Sequence, residues 1–335
     1  MEFNAKRRQQ FLAEKYVETK LAEFDDVIGG PEGLEANLKS KERQRGWHAS
    51  LARGVGWEKF NRLQLAYTAG EDIGPLRQEL EVIVTAYERY GHLMWRDTQD
   101  RNEPVFTFTF VDEYCTLMQL IGLCFLLHRR DLLPRLAALQ DGENGSNGGA
   151  DVIYEEFMIH VFGAENRYGT EQACQVRPYE NLFYALTEES ADNQLKELNL
   201  YLKHWYKDLA GTGWHDSHKP DEYGNQGGYY GYWSFEAGAA VLLLGIEDDS
   251  SLHKYLYYPK DLVAWARAHA ALSAGEAQAA IRLRAMATEP CPKAGFWSTP
   301  AQPDSRRRFE AGEAMPTIEG SAWGATIWTW DDAQA

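Results

Sequence analysis

Apolar residues recur along this chain at helical rather than strand spacing. Val17, Leu21, Phe24 and Ile28 fall at i, i+4, i+7 and i+11, one stripe on a helix that Gly29-Gly30-Pro31 ends. Leu76, Leu80, Ile83 and Tyr87 repeat the spacing, as do Leu195, Leu198, Leu202, Trp205 and Leu209 before Gly211. Two very apolar runs, Leu117–Leu127 and Ala237–Ile246, predict further helices, each roughly half a bilayer span and so too short to cross a membrane. Ser273 with Glu276 reads as a capping box that opens a helix through Met286. Alternating strand patterns are nearly absent before residue 295. The pattern predicts a mainly α protein with an antiparallel, bundle-like helical body and a small β-containing tail.

Two composition breaks divide the chain. Residues 140–150, QDGENGSNGGA, are polar and glycine-rich and read as a linker or exposed loop. Residues 288–295, TEPCPKAG, carry the two prolines that end the helical region. These breaks predict packed helical domains at 1–140 and 141–287 and a hairpin-like tail at 288–335. Within the tail, Trp297, Trp323, Trp328 and Trp330 are expected to dock on the helical body, since so small an element is not stable alone. Each half also places an amphipathic helix before a very apolar one, a faint sign of duplication.

Charge changes this picture. The chain carries −16 overall, and residues 141–260 hold 20 acidic against 8 basic residues, a net of −12. A nucleic-acid binder needs the opposite sign to neutralise phosphates. An acidic block favours a basic protein partner instead, steering its approach. The N-terminus is charged and lacks an apolar core segment, so no secretory signal is expected. Cys115, Cys124, Cys174 and Cys291 have no metal-like spacing and read as free thiols in a reducing cytoplasm.

Within the acidic block, GYWSFEAGA at 231–239, LLGIEDDSSL at 243–252 and YYPKDL at 257–262 form an aromatic-rich constellation around Glu236. This order resembles the C-terminal domain of PoNi-type immunity proteins, which neutralise PoNe nuclease toxins delivered by type VI secretion systems. The resemblance covers about residues 5–272 and is strongest over 195–262. It implies a non-catalytic protein that covers the active site or substrate groove of a cognate toxin. Under that reading the toxin-binding candidates are the acids expected in loops or at helix ends: Glu188, Glu189, Asp216, Asp221, Glu222, Glu247, Asp248 and Asp249. No cofactor, metal, nucleic acid or membrane enters it.

The remaining chemistry is assigned to structure. Tyr232, Trp233, Phe235 and Glu236 read as a packed motif, with Glu236 opening the apolar helix and bonded to a buried Arg, Lys, His or Tyr. The alternative is an all-helical carbohydrate-active or other hydrolase in which the apolar surround raises the Glu236 pKa, as a general acid requires. His215 and His218 flank Asp216 in a metal-like H-D-x-H, but no third ligand follows at a recognisable spacing, so a loop held by His–carboxylate hydrogen bonds is expected. Arg306-Arg307-Arg308 is expected to pair with Glu310 and Glu313 rather than with nucleic acid. Nucleophile-elbow, P-loop and dinucleotide fingerprints are missing.

Overall fold

The computed structural model describes residues 3–39, 47–220, 228–272, 284–299, 302, 305–318 and 326–331. The chain is mainly helical, with a small antiparallel sheet at its C-terminal side. The first part contains α1 (Phe3–Lys6), α2 (Glu14–Gly29), α3 (Leu34–Leu38), α4 (Trp47–Ala69) and α5 (Ile73–Thr98). There follow α6 (Val111–Leu126), α7 (Leu133–Ala138) and α8 (Val152–Phe162). The acidic block supplies α9 (Glu180–Thr187), α10 (Ala191–Asp208), α11 (Phe235–Leu243) and α12 (Lys260–Ala268). Four short strands close the described chain: β1 (Arg284–Met286), β2 (Gly295–Ser298), β3 (Arg307–Phe309) and β4 (Ile327–Trp330).

The predicted stripes face inward. Val17, Phe24 and Ile28 are buried on α2, Leu76, Leu80, Ile83 and Tyr87 on α5, and Leu198, Leu202 and Trp205 on α10. Burial of each such side chain contributes roughly 1.5–3 kcal/mol. α4 and α5 form a helical hairpin across Gly70–Asp72, and α6 runs through the centre with every residue from Tyr114 to Leu126 buried. The two very apolar helices pack on each other: a Cβ at Gly122 of α6 would lie 2.6 Å from the backbone nitrogen of Glu236, at the start of α11. Only glycine permits that approach. One contiguous apolar cluster runs from Leu12 to Ala266, so segments on both sides of residue 140 feed the same core. No helix of the described residues is long and apolar enough to cross a membrane.

Three expectations require correction. The glycine-rich 140–150 segment is no free linker, although Glu143, Asn144 and Ser146 are exposed. Asp141 and Glu155 grip the buried Arg167 guanidinium at 2.7 and 2.8 Å, and Gln140 exchanges two hydrogen bonds with the Phe106 backbone. The helix expected from Ser273 through Met286 does not hold at its end, because Arg284–Met286 is strand β1; residues 273–283 lie outside the described chain. The cap pattern was local, whereas β1 is fixed by distant pairing with β4, Ala285 opposite Trp328.

Trp297, Trp328 and Trp330 likewise do not rest on the helical body. Trp297 and Trp328 are buried with Ala285, Cys291, Phe309 and Met315 in a separate small core, and Trp330 packs edge-on against Trp297. Trp323 lies outside the described residues. Four strands, rather than one hairpin, give the tail enough surface to enclose its own aromatics. Of the three arginines, Arg308 pairs with Glu310 as expected, while Arg306 pairs with Asp331 at 2.6 Å; Glu313 accepts from the Glu310 backbone instead.

Candidate functional site

The stretch from Gly228 to Ser234 enters the core as an extended segment, not a helix or a paired strand. Its backbone polar groups therefore need partners from elsewhere. Three side chains distant in sequence supply them. The Gln9 amide donates to Tyr232 O at 2.6 Å and Leu256 O at 3.0 Å, and its oxygen accepts from Tyr232 N at 2.9 Å and from the Tyr229 hydroxyl. Thr68 Oγ1 accepts from Trp233 Nε1 at 2.8 Å and lies 2.6 Å from Tyr230 O. Gln119 Nε2 donates to Trp233 O at 3.0 Å. Gly231 adopts a φ of 121°, and a Cβ there would sit 2.1 Å from Thr68 Oγ1, so this position requires glycine. Sequence periodicity gave no sign of Gln9, Thr68 or Gln119; Thr68 and Gln119 stand out only as polar residues in apolar runs, and Gln9, beside Arg7, Arg8 and Gln10, does not stand out at all.

Glu236 has no exposed surface. Its Oε1 accepts from Tyr201 Oη at 2.7 Å, Trp205 Nε1 at 2.9 Å and Ser234 Oγ at 2.9 Å. Burial pushes the carboxyl above its ordinary range, more than hydrogen bonds from Tyr201, the backbone and Ser234 pull it down. Of the Arg, Lys, His or Tyr partners expected, a buried tyrosine is the one present, joined by an indole and a hydroxyl. A carboxyl so enclosed touches no solvent and joins α10 to α11.

The WHDSH loop is held by tyrosines more than by histidine–carboxylate bonds. The Tyr206 hydroxyl donates to Asp216 Oδ1 at 2.7 Å, and the His218 backbone N–H donates to Tyr232 Oη at 3.0 Å. His218 Nδ1 lies 2.8 Å from the same hydroxyl, and the His215 ring lies over Tyr206 at 4.2 Å. His215 Nδ1 stands 3.8 Å from Asp216 Oδ2, too far for a strong hydrogen bond. Burial lowers the His218 imidazole below its usual range. Among the described residues, no group of three His, Cys, Asp or Glu side chains is placed to hold a metal. Tyr232, Trp233 and Phe235 are buried in one aromatic cluster, with Tyr67 edge-on to both Trp233 and Phe235.

The acidic candidates separate into two kinds. Glu188 and Glu189, in the turn between α9 and α10, and Glu247 and Asp248, after α11, are exposed. The Ser250 hydroxyl and backbone N–H hold Asp248 below the usual carboxylate range. Asn199 Nδ2 meets Ser251 Oγ at 3.0 Å, so α10 runs alongside the turn that carries Glu247 and Asp248. Residue 191 lies about 12 Å from that contact at 1.5 Å per residue, which places the two exposed acidic turns along one helix. Asp249, expected to be exposed, is buried: Arg267 Nη1 donates to it at 2.9 Å, the Tyr258 hydroxyl also donates, and His253 lies 3.5 Å away. Neighbouring acids in sequence thus face opposite ways because the chain turns into a short 3-10 helix at Ser250. Asp216 is half-buried and held below its usual range by Lys219, at 2.6 Å, and by Tyr206. Asp221 and Glu222 lie outside the described residues.

This motif and its acidic margin fall inside a recognised family region. Residues 149–262 match the family model described as PoNe immunity proteins (PoNi), C-terminal. Over that stretch, about a third of its length, the chain is similar to the C-terminal part of the PoNi-type immunity proteins. No curated protein matches it. Among solved structures it is similar to protein PA2201 from Pseudomonas aeruginosa, with 18% identity, a TM-score of 0.60, and coverage of 79% of this chain and 92% of that one. At that identity the likeness concerns the fold alone.

Proposed function

We propose that this protein acts without turnover in the cytoplasm, binding a cognate PoNe-type nuclease toxin of a type VI secretion system and covering its active site or substrate groove. The observation that carries the reading is the PoNi family match over 149–262, which spans most of the −12 block and the exposed carboxylates Glu188, Glu189, Glu247 and Asp248. A nuclease groove built to hold phosphates presents Lys and Arg, and carboxylates spaced along a surface can occupy it. The reading also draws support from Glu236: the acid on which a hydrolase would depend is enclosed by Tyr201, Trp205 and Ser234. An effective inhibitor of an intracellular nuclease needs nanomolar affinity, about 12 kcal/mol.

Stopped-flow association with a catalytically dead toxin tests the role of the acids. Reversing Glu188, Glu189, Glu247 and Asp248 together should slow association about tenfold or more at low salt. The melting temperature should hardly change, since exposed charges contribute little to folding. An unchanged on-rate at low salt would leave these acids merely solubilising. Failure of the parent protein to bind the toxin or protect cells that express it would overturn the immunity reading itself.

A further inference from the structure

A cavity of about 650 Å³ opens between α4, α6 and the extended motif segment. None of the exposed carboxylates assigned above lies in its wall. Its size is within the range of pockets that enclose a compact ligand group. Trp57, Trp205, Trp214, Tyr230 and Trp233 provide aromatic walls. Trp57 is 39% exposed, so part of its indole is open to a visitor.

The polar lining is specific in kind. Asn61 and Gln64, one turn apart on α4, and Gln119 on α6 bring three carboxamides to the cavity. Asn61 is only 3% exposed, and its Nδ2 has no hydrogen-bond partner. A buried donor left unpaired destabilises a fold, so its presence beside a cavity points to an acceptor that arrives from outside.

Charge narrows the visitor further. Arg53 in the wall is neutralised by its ion pair with Glu113, whose other oxygen accepts from Thr107 N at 2.7 Å. Asp112 accepts from Gly213 N at 2.9 Å, and no cation pairs with it among the described residues. Among the described residues, two carboxylates against one guanidinium leave the lining at a net of −1, which disfavours phosphates and other anions. Aromatic walls with an unspent carboxylate suit a planar guanidinium, which stacks on rings and pairs with carboxylates better than an ammonium does. Carboxamides suit the main chain that carries it.

We propose that this cavity receives an arginine-bearing loop of the partner, its guanidinium against Asp112 and the aromatic walls and a main-chain carbonyl accepting from Asn61. The proposal rests on the immunity reading and adds the anchor of the complex, the kind of pocketed Arg–aromatic contact that dominates interfaces. Exposed carboxylates would then set the approach, and the cavity the lifetime.

Three variants test it, with a catalytically dead PoNe-type nuclease toxin that the parent protein binds as the probe. Asp112→Asn keeps an oxygen for Gly213 N–H but removes the charge. Asn61→Leu replaces the unpaired amide at similar volume. Gly213→Phe fills the mouth, where a Cβ would meet only Asp112 Oδ1, at 3.8 Å. Each should raise Kd about tenfold or more, mainly through faster dissociation. Asn61→Leu should melt no lower than the parent, which separates lost contact from lost fold. If the parent binds toxin and all three variants bind equally well, the anchor is refuted and the immunity reading stands. If the parent binds no such toxin, both fall. Tryptophan quenching with small probes supplies a second arm: N-acetyl-arginine amide should bind weakly and lose binding in Asp112→Asn. Binding of adenosine instead, indifferent to Asp112→Asn, would make the cavity a nucleobase site and overturn the proposal.

Discussion

Replacing Gln9 with Met should unlatch the motif segment while preserving side-chain volume. Gln9 is 1% exposed and makes four hydrogen bonds, two of them to the backbone of Tyr232. Methionine satisfies none of them. The Tyr232 N–H and C=O would remain buried, each costing about 1–3 kcal/mol unpaired. The Tyr229 hydroxyl and the partly buried Leu256 carbonyl recover part of their loss through rearrangement or water, so a total of about 4 kcal/mol is expected. Unfolding entropy of about 2.1 cal/mol/K per residue gives roughly 0.7 kcal/mol/K for a chain of this length, so the apparent midpoint should fall by about 6 °C. Urea denaturation followed by far-UV circular dichroism reads the change directly, with the slope unaltered if only the native state is affected. A loss below about 1 kcal/mol, within the range of an ordinary surface change, would refute the claim that this side chain holds the segment in place.

Two carboxyls should show opposite pH behaviour. Burial raises Glu236 in the folded state, so the native protein holds that proton more tightly than the unfolded chain does. Its contribution to stability is fully present below the ordinary value of 4.5 and declines as pH rises to the folded-state value, a slope that Glu236→Gln should abolish in urea titrations across that window. Identical pH profiles for the two proteins would show that the carboxyl is not raised. For Asp249, burial raises the carboxyl but bonds from Tyr258 and Arg267 outweigh it, leaving it depressed. Asp249→Asn should therefore cost about 1.5–3 kcal/mol at pH 7, a deficit that shrinks only below the ordinary value of 3.8, as pH falls through the depressed folded-state value. A deficit that is already gone at pH 5 would contradict the assigned ion pair.

The helical body was legible because its signal is local. Spacing on α2, α5 and α10 carries the buried stripe directly, and the apolar runs mark α6 and α11. The buried bonding of Glu236 was legible from its position at the start of an apolar helix, and Tyr201 lies on a stripe helix already expected to pack inward. What escaped was everything set by long-range pairing. The latches at Gln9, Thr68 and Gln119 are single polar residues with no period, and their roles exist only once the 228–234 segment lies beside them. Adjacent Asp248 and Asp249 cannot be told apart by composition, since the turn into Ser250 and the placement of Arg267 decide which is buried. The unpaired Asn61 amide was equally invisible, as its meaning depends on the cavity facing it.

The strand order of the tail, β1-β4-β2-β3, puts the strand made last in the interior of the sheet. During synthesis β2 and β3 can form a hairpin once Phe309 has emerged, with Phe296 opposite Arg308, but β1 has no neighbour until Ile327–Trp330 arrives. The tail is thus a two-piece clasp closed by its final insert, and vectorial growth from the ribosome gives it no stable partial form. Proteolytic trimming that removed β4 would accordingly do more than shorten the sheet: it would part β1 from β2 and open the aromatic interior around Trp297 and Phe309 to water.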